Sequence, residues 1–296
     1  MLPLGRRDFF KAALAVTGVA ALSKACLSPA SKTAPARLID VNVNLGRWPL
    51  RRVRYDNTAG LASVLRRQGV TQAWAGSFEA LMHKDIAAVN ARLADECLRF
   101  GGGLLVPFGS VNPKLPDWEE DLRRCAVEHR MPGIRLYPNY HGYKLDDPDF
   151  ARLLRMAADR DLLVELAPIM EDQRMMHPLL RVEPTDAGPL VNLVKQTPGL
   201  RLVLLNALRT LRDQPLVDLL AAGEVYVDIA MLDGFAGVAN LLSKVPSSRV
   251  LFGSYAPLFY FEAALLKLQE SPFSAEELRA MRSENARCLL PENPGK

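Results

Sequence analysis

Eight short apolar, β-rich runs alternate with amphipathic stretches along this chain, and that alternation predicts a (β/α)8 TIM-like barrel. Two further observations agree. The strand candidates are apolar throughout, as strands of a parallel sheet buried on both faces should be. Eight such units in about 260 residues match the length this architecture needs. An open doubly wound sheet is the competitor, and it should carry a Gly-rich phosphate turn after an early strand. Gly101-Gly102-Gly103 precedes a strand instead, so it reads as a helix-to-strand turn.

The elements follow in order. Strand candidates are Leu38–Asn44, Thr71–Ser77, Leu104–Val111, Gly133–Pro138, Leu162–Ala167, Leu200–Asn206, Val225–Met231 and Val250–Ser254. Helical patterns fill the gaps at Leu61–Arg67, Ala87–Phe100, Trp118–Glu128, Phe150–Ala158, Leu190–Lys195, Leu216–Ala221 and Val238–Leu242. A last pair, Phe261–Gln269 and Ala275–Leu290, closes the chain. With no internal repeat, linker or low-complexity tract, residues 37–290 read as one domain.

Composition narrows the function classes. The chain is 49% hydrophobic and 24% charged, an ordinary globular balance. Its net charge of +4 comes from residues 1–36, which hold Arg6, Arg7, Lys11, Lys24 and Lys32 against Asp8. The remainder carries 32 basic and 32 acidic residues and has no basic stripe for nucleic acid. Of the cysteines beyond that segment, Cys97, Cys125 and Cys288 fall in helix-like stretches without CxxC spacing, so core packing is expected and no disulfide framework follows.

Gly5-Arg6-Arg7-Asp8-Phe9-Phe10-Lys11 resembles the twin-arginine export motif, and the apolar run Ala12–Leu22 is too short to span a bilayer. The resemblance implies an exported, extracytoplasmic or periplasmic protein. Cleavage after Ala25 or Ala36 is expected. Cys26 offers a lipidation site, although Lys24 sits badly in a lipobox. Membrane contact is expected only through these features, and homo-oligomerisation is compatible with the sequence.

In a barrel, chemistry belongs to the loops after the strands. His83, His141 and His177 follow strands two, four and five, whereas His129 ends a helix on the opposite side. Arg135 lies inside the fourth strand, where a buried charge needs a partner or an anionic ligand. Tyr137, Tyr140, His141 and Tyr143 supply aromatic walls and hydrogen-bonding groups, or simply cover the mouth. After the fifth strand, Glu171, Asp172, Arg174 and His177 crowd together. Glu171 or Asp172 could orient His177 or act as a base, and Arg174 could clamp a carboxylate. A solvated loop with a helix cap is the plain alternative. Glu165 lies within an apolar strand and must be neutral or paired.

Asp40-Val41-Asn42-Val43-Asn44 resembles the Asp-x-His-x-His of the amidohydrolase-related, decarboxylase-like family. Phe252-Gly253-Ser254-Tyr255-Ala256-Pro257 resembles its Phe-Gly-Ser-Asp-x-Pro, and Asn285–Leu290 its closing helix. The resemblance spans residues 37–290 and implies a metallohydrolase barrel. It also implies metal ligands at Asn42, Asn44, Asn206 and Tyr255, where the family has histidines and an aspartate. Amides and a phenol are poor substitutes, so the usual metal is not expected.

Three readings follow. The first is a hydrolase or decarboxylase for a small carboxylate, ester or lactone, working without that metal. In it His141, His177, Glu171 and Asp172 are catalytic, while Asn42, Asn44, Arg135, Tyr137, Arg174, Asn206 and Tyr255 bind substrate. The second is a non-catalytic small-molecule-binding pseudoenzyme on the same barrel. The third is a relocated divalent metal held by His141, His177, Glu171 and Asp172. Histidines facing Asn42 and Asn44 across a cavity would favour the enzyme, and histidines turned to solvent the binder.

Overall fold

In the computed structural model, which describes residues 37–290, eight parallel strands close into a (β/α)8 barrel. The twin-arginine-like segment, both cleavage positions and Cys26 lie outside the described residues. The strands are β1 (Leu38–Leu45), β2 (Val70–Ser77), β3 (Leu105–Pro107), β4 (Gly133–Leu136), β5 (Leu163–Leu166), β6 (Arg201–Leu204), β7 (Glu224–Asp228) and β8 (Val250–Leu251). They form runs β1-β2-β3 and β4 to β8. The runs join through parallel bridges Gly109↔Ile134 and Val43↔Ala256. Backbone bonds Val41 N→Phe252 O (3.0 Å) and Tyr255 N→Asn42 O (2.8 Å) complete the closure.

Crossover helices cover the outside: α1 (Thr58–Arg67), α2 (Ile86–Gly101), α3 (Trp118–Val127), a short α4 (Pro138–His141), α5 (Pro148–Ala158), α6 (Leu190–Gln196), α7 (Asp213–Ala221) and α8 (Gly237–Leu242). Three of them, α1, α2 and α5, start where the sequence supplies a cap: the side chains of Asn57, Asp85 and Asp147 accept first-turn N–H groups. Apolar residues on the strands' outer faces and the helices' inner faces form one core layer, and a second buried cluster fills the barrel interior.

Differences from the expected elements have local causes. β4 stops at Leu136 because Pro138 opens α4 at its first helical position. β6 stops before Asn206, which adopts a left-handed backbone (φ 61°). After α9 (Phe261–Lys267), the closing helix is broken into α10 (Ala275–Arg279), a π-helical turn at Ala280–Glu284, and α11 (Asn285–Leu289). Gly102 and Gly103 both take positive φ just after α2, as a helix-to-strand turn requires. Cys97 and Cys125 are core residues, but Cys288 is exposed on α11, correcting its expected burial.

Candidate functional site

Arg135 is the centre of the barrel. It is 1% exposed, and all five of its N–H donors are engaged. Nε donates to Glu165 (2.6 Å), Nη1 to Val43 O (2.7 Å) and Asn44 Oδ1 (3.2 Å), and Nη2 to Val41 O (3.1 Å) and Trp74 O (3.0 Å). Glu165 stands directly opposite on β5, so the pair is set by strand register. Two of the acceptors, Val41 O and Val43 O, lie where β1 slips in register, between Asp40 paired with Ala73 and Val43 paired with Ala75. Gly76 makes room, because a Cβ there would sit 2.7 Å from Arg135 Cδ. The expected substrate-binding role of Arg135 is therefore corrected: no donor is left for a ligand.

A second network joins three strands. Asn42 Nδ2 donates to Asn206 Oδ1 (2.8 Å) and to Asp228 Oδ2 (2.7 Å). The Asn206 backbone N–H donates to Asp228 Oδ1 (2.8 Å), and Asn206 Nδ2 to Ile169 O (3.2 Å). Gly253 permits this crossing, since a Cβ would meet Asp228 Oδ2 at 2.4 Å. Asp40 accepts from the Ser254 hydroxyl, from Ser254 N (2.9 Å) and from Asn42 N (3.1 Å). Burial pushes Asp40 and Glu165 up to about 7 and Asp228 up to about 6, against the pull of these donors and of Arg135.

The mouth above these networks is filled. Tyr137 donates to Asn44 Oδ1 (3.2 Å), and Tyr255 to Met170 O (2.6 Å), tying the end of β8 to the loop after β5. Trp48, Phe78, Tyr137, Met170 and Tyr255 belong to the inner buried cluster, with Trp48 edge-on to Phe78 at 5.1 Å. Asn42, Asn44, Arg135, Glu165, Asn206, Asp228 and Tyr255 are each at most 1% exposed, so a water-sized sphere barely touches them. The structure thus brings together six of the seven predicted binding residues, Asn42, Asn44, Arg135, Tyr137, Asn206 and Tyr255, but against one another, while Arg174 is exposed away from them.

The predicted catalytic group does not converge. His141 Nε2 donates to Ala80 O (2.8 Å), and its ring lies between Tyr137 and Tyr143. Burial lowers its pKa, and its Nδ1 has no partner among the described residues. His177 is exposed, its Nδ1 accepting from Leu179 N (3.2 Å). Glu171 is buried against Arg51. Asp172 caps the 3-10 turn at Gln173–Met175 and pairs with Arg209 and with the exposed Arg174 (2.6 Å), which hold its carboxyl below the usual range. Sequence reasoning missed Asp40, Ser254 and Asp228 as participants. An aspartate ending the apolar run Val225–Asp228 was the available signal.

A family model described as Amidohydrolase matches residues 42–291. The chain belongs to the amidohydrolase family. No curated protein matches it. Among solved structures it is similar to 2,6-dihydroxybenzoate decarboxylase from Rhizobium, with 14% identity, TM-score 0.62, and 86% of this chain and 98% of that one covered. It is also similar to 5-carboxyvanillate decarboxylase from Sphingomonas paucimobilis, with 12% identity, TM-score 0.66, and 86% and 98% covered. A third is a dihydroxybenzoic acid decarboxylase from Polaromonas with bound manganese and 2-nitroresorcinol, with 13% identity, TM-score 0.62, and 85% and 96% covered.

The side chains at the positions where the family resemblance implies metal ligands are bonded to other groups of the protein. Asn42 directs two N–H donors at Asn206 and Asp228, where a cation would need lone pairs. Asn44 Oδ1 is taken by Arg135 and Tyr137, and Tyr255 is turned to Met170. Among the described residues no group of three or more His, Cys, Asp or Glu is placed to hold an ion. That includes the relocated set His141, His177, Glu171 and Asp172, whose members are tied to separate partners.

Proposed function

We infer that this chain is a small-molecule-binding member of the amidohydrolase family that performs no turnover at the barrel axis. One observation carries the reading: the polar residues at the strand ends are buried and bonded mainly to one another, with all five Arg135 donors engaged internally. Catalysis needs a titratable group within reach of a reacting atom. Here His141 serves Ala80, and His177 faces solvent. The reading expects no stoichiometric transition metal, checked by elemental mass spectrometry of the exported protein. The twin-arginine-like segment supports a place outside the cytoplasm.

A second reading, metal-free hydrolysis or decarboxylation of a small carboxylate, ester or lactone, draws on the family and on Asp40, Glu165 and Asp228. These are buried carboxylates with pKa values near neutrality. It requires Trp48, Met170 and Tyr255 to swing aside. Carbon dioxide release from 2,6-dihydroxybenzoate and hydrolysis of p-nitrophenyl acetate separate the two. Rates at the buffer level, unchanged in Glu165→Gln, are expected. Saturable turnover abolished by Glu165→Gln would replace the binding reading with the enzymatic one.

A further inference from the structure

The segment between β1 and α1, residues 46–56, is held to the barrel by side chains alone. No strand or helix lies between the end of β1 at Leu45 and the start of α1 at Thr58. Among the described residues, none of the segment's backbone groups bonds to another element. Near its two ends the chain turns on left-handed residues, Gly46 (φ 79°) and Tyr55 (φ 58°). Such a stretch has low local stability, because no ladder of backbone bonds has to break for it to move.

Two side chains fasten it. Trp48 is 4% exposed and belongs to the inner buried cluster, edge-on to Phe78 at 5.1 Å and to Tyr140 at 6.5 Å. Arg51 pairs with Glu171 in the loop after β5 and also lies 5.9 Å from the Trp48 ring, so one guanidinium holds both. β5 stands four strands from β1 in either direction round the barrel, so this ion pair spans the mouth. Glu171 is its buried member and Arg51 the more exposed one, and loss of Arg51 would leave a buried carboxylate without its counter-charge. The closed position is also strained in one respect: Trp48 Nε1 is sealed from water and has no acceptor among the described residues. Lifting the segment returns that N–H to water and a hydrogen bond. Phe78, which Trp48 covers, packs in turn on Tyr255 at 6.5 Å, one of the side chains that fill the mouth.

We propose that residues 46–56 are a hinged strap that opens the barrel mouth, with Trp48 as its plug and the Arg51–Glu171 pair as its latch. Releasing the latch frees Trp48 and uncovers Phe78, Tyr140 and Tyr255. The strap rests on the binding reading only for its purpose, a route by which a small molecule reaches the mouth, and its motion is read without a ligand.

Acrylamide quenching of tryptophan fluorescence in the full chain is the test. The other two tryptophans, Trp74 on β2 and Trp118 on α3, are buried at 0% and 7% exposure. Arg51→Met removes the guanidinium, and Glu171→Gln cancels the opposing charge at nearly constant volume. Each is expected to raise the quenching constant severalfold and to speed trypsin cleavage after Arg52 and Arg54. In a Trp48→Phe background the rise in quenching should vanish while the faster cleavage remains. Circular-dichroism melts establish that the variants compared are folded. Glu171→Gln leaves no unpaired buried charge, so it decides the matter where Arg51→Met fails to fold. Unchanged quenching in folded Glu171→Gln, or a rise that survives Trp48→Phe, would overturn the strap. Turnover or a stoichiometric metal would instead break the binding reading and leave the strap standing.

Discussion

The barrel axis and the cleft after β4 and β5, between residues 138–146 and 183–189, are both crowded with polar side chains at the same end of the molecule, yet one is sealed and the other open. At the axis, Arg135, Asn42, Asn206, Asp228 and Asp40 exchange bonds until little capacity remains, with Asn42 Oδ1 and Glu165 Oε1 the exceptions. In the cleft, Lys144, Asp146, Glu183 and Asp186 are exposed to water. Polar density therefore marks a site poorly, because a ligand can be held only by groups that the protein has not already satisfied.

Arg135→Met attacks the axis most directly. It strips Glu165 of its counter-charge and removes the side-chain donor from three backbone carbonyls, so a loss of about 3–5 kcal/mol is expected in urea unfolding. A near-neutral result would show that the axis network is not structural.

Acidity probes the same network. Asp40, Glu165 and Asp228 have folded pKa values raised above their unfolded ones, to about 7, 7 and 6. Between about pH 4 and 7 the folded state thus holds more protons than the unfolded state, and stability falls as pH rises through that window. The melting temperature should be several degrees higher at pH 5 than at pH 8, and Asp40→Asn should flatten the slope. A rise toward pH 8 would contradict the burial of these carboxylates.

Tyr255→Phe removes the tie across the mouth to Met170 O. It should cost about 1 kcal/mol, read by chemical denaturation. If that variant gained turnover, the phenol would be acting as a gate. His177→Ala should be the mildest change, within about 0.5 kcal/mol by chemical denaturation, since the side chain is exposed. A larger loss would show that the loop after β5 depends on the bond from Leu179 N to His177 Nδ1.

Much of the frame could be read from the chain. Apolar runs placed Asn44 and Asn206 at strand ends and Tyr137 one residue before the end of Gly133–Pro138, and in the structure Tyr137 donates to Asn44 while Asn206 bonds Asn42 beside it. Glu165 was expected to be neutral or paired, and Arg135 opposite it supplies the pair. The register slip in β1 was not legible, because it depends on how β1 meets β2 and β8 at once. Nor was the fate of His141: its partner, Ala80 O, lies 61 residues away in the turn after β2. Loop residues such as Glu171 and Asp172 looked catalytic by composition, but their charges are taken by Arg51, Arg174 and Arg209.

The sequence by itself determined the alternation of strands and helices and the amidohydrolase framework. Those are properties of residue type and spacing, which local propensity and hydrophobic period express directly. Only the tertiary structure decided what Asn42, Asn206 and Tyr255 bond to. Asn42 meets Asn206 across 164 residues of chain, and a hydrogen bond exists only when two such groups arrive at about 3 Å with nothing better to bind.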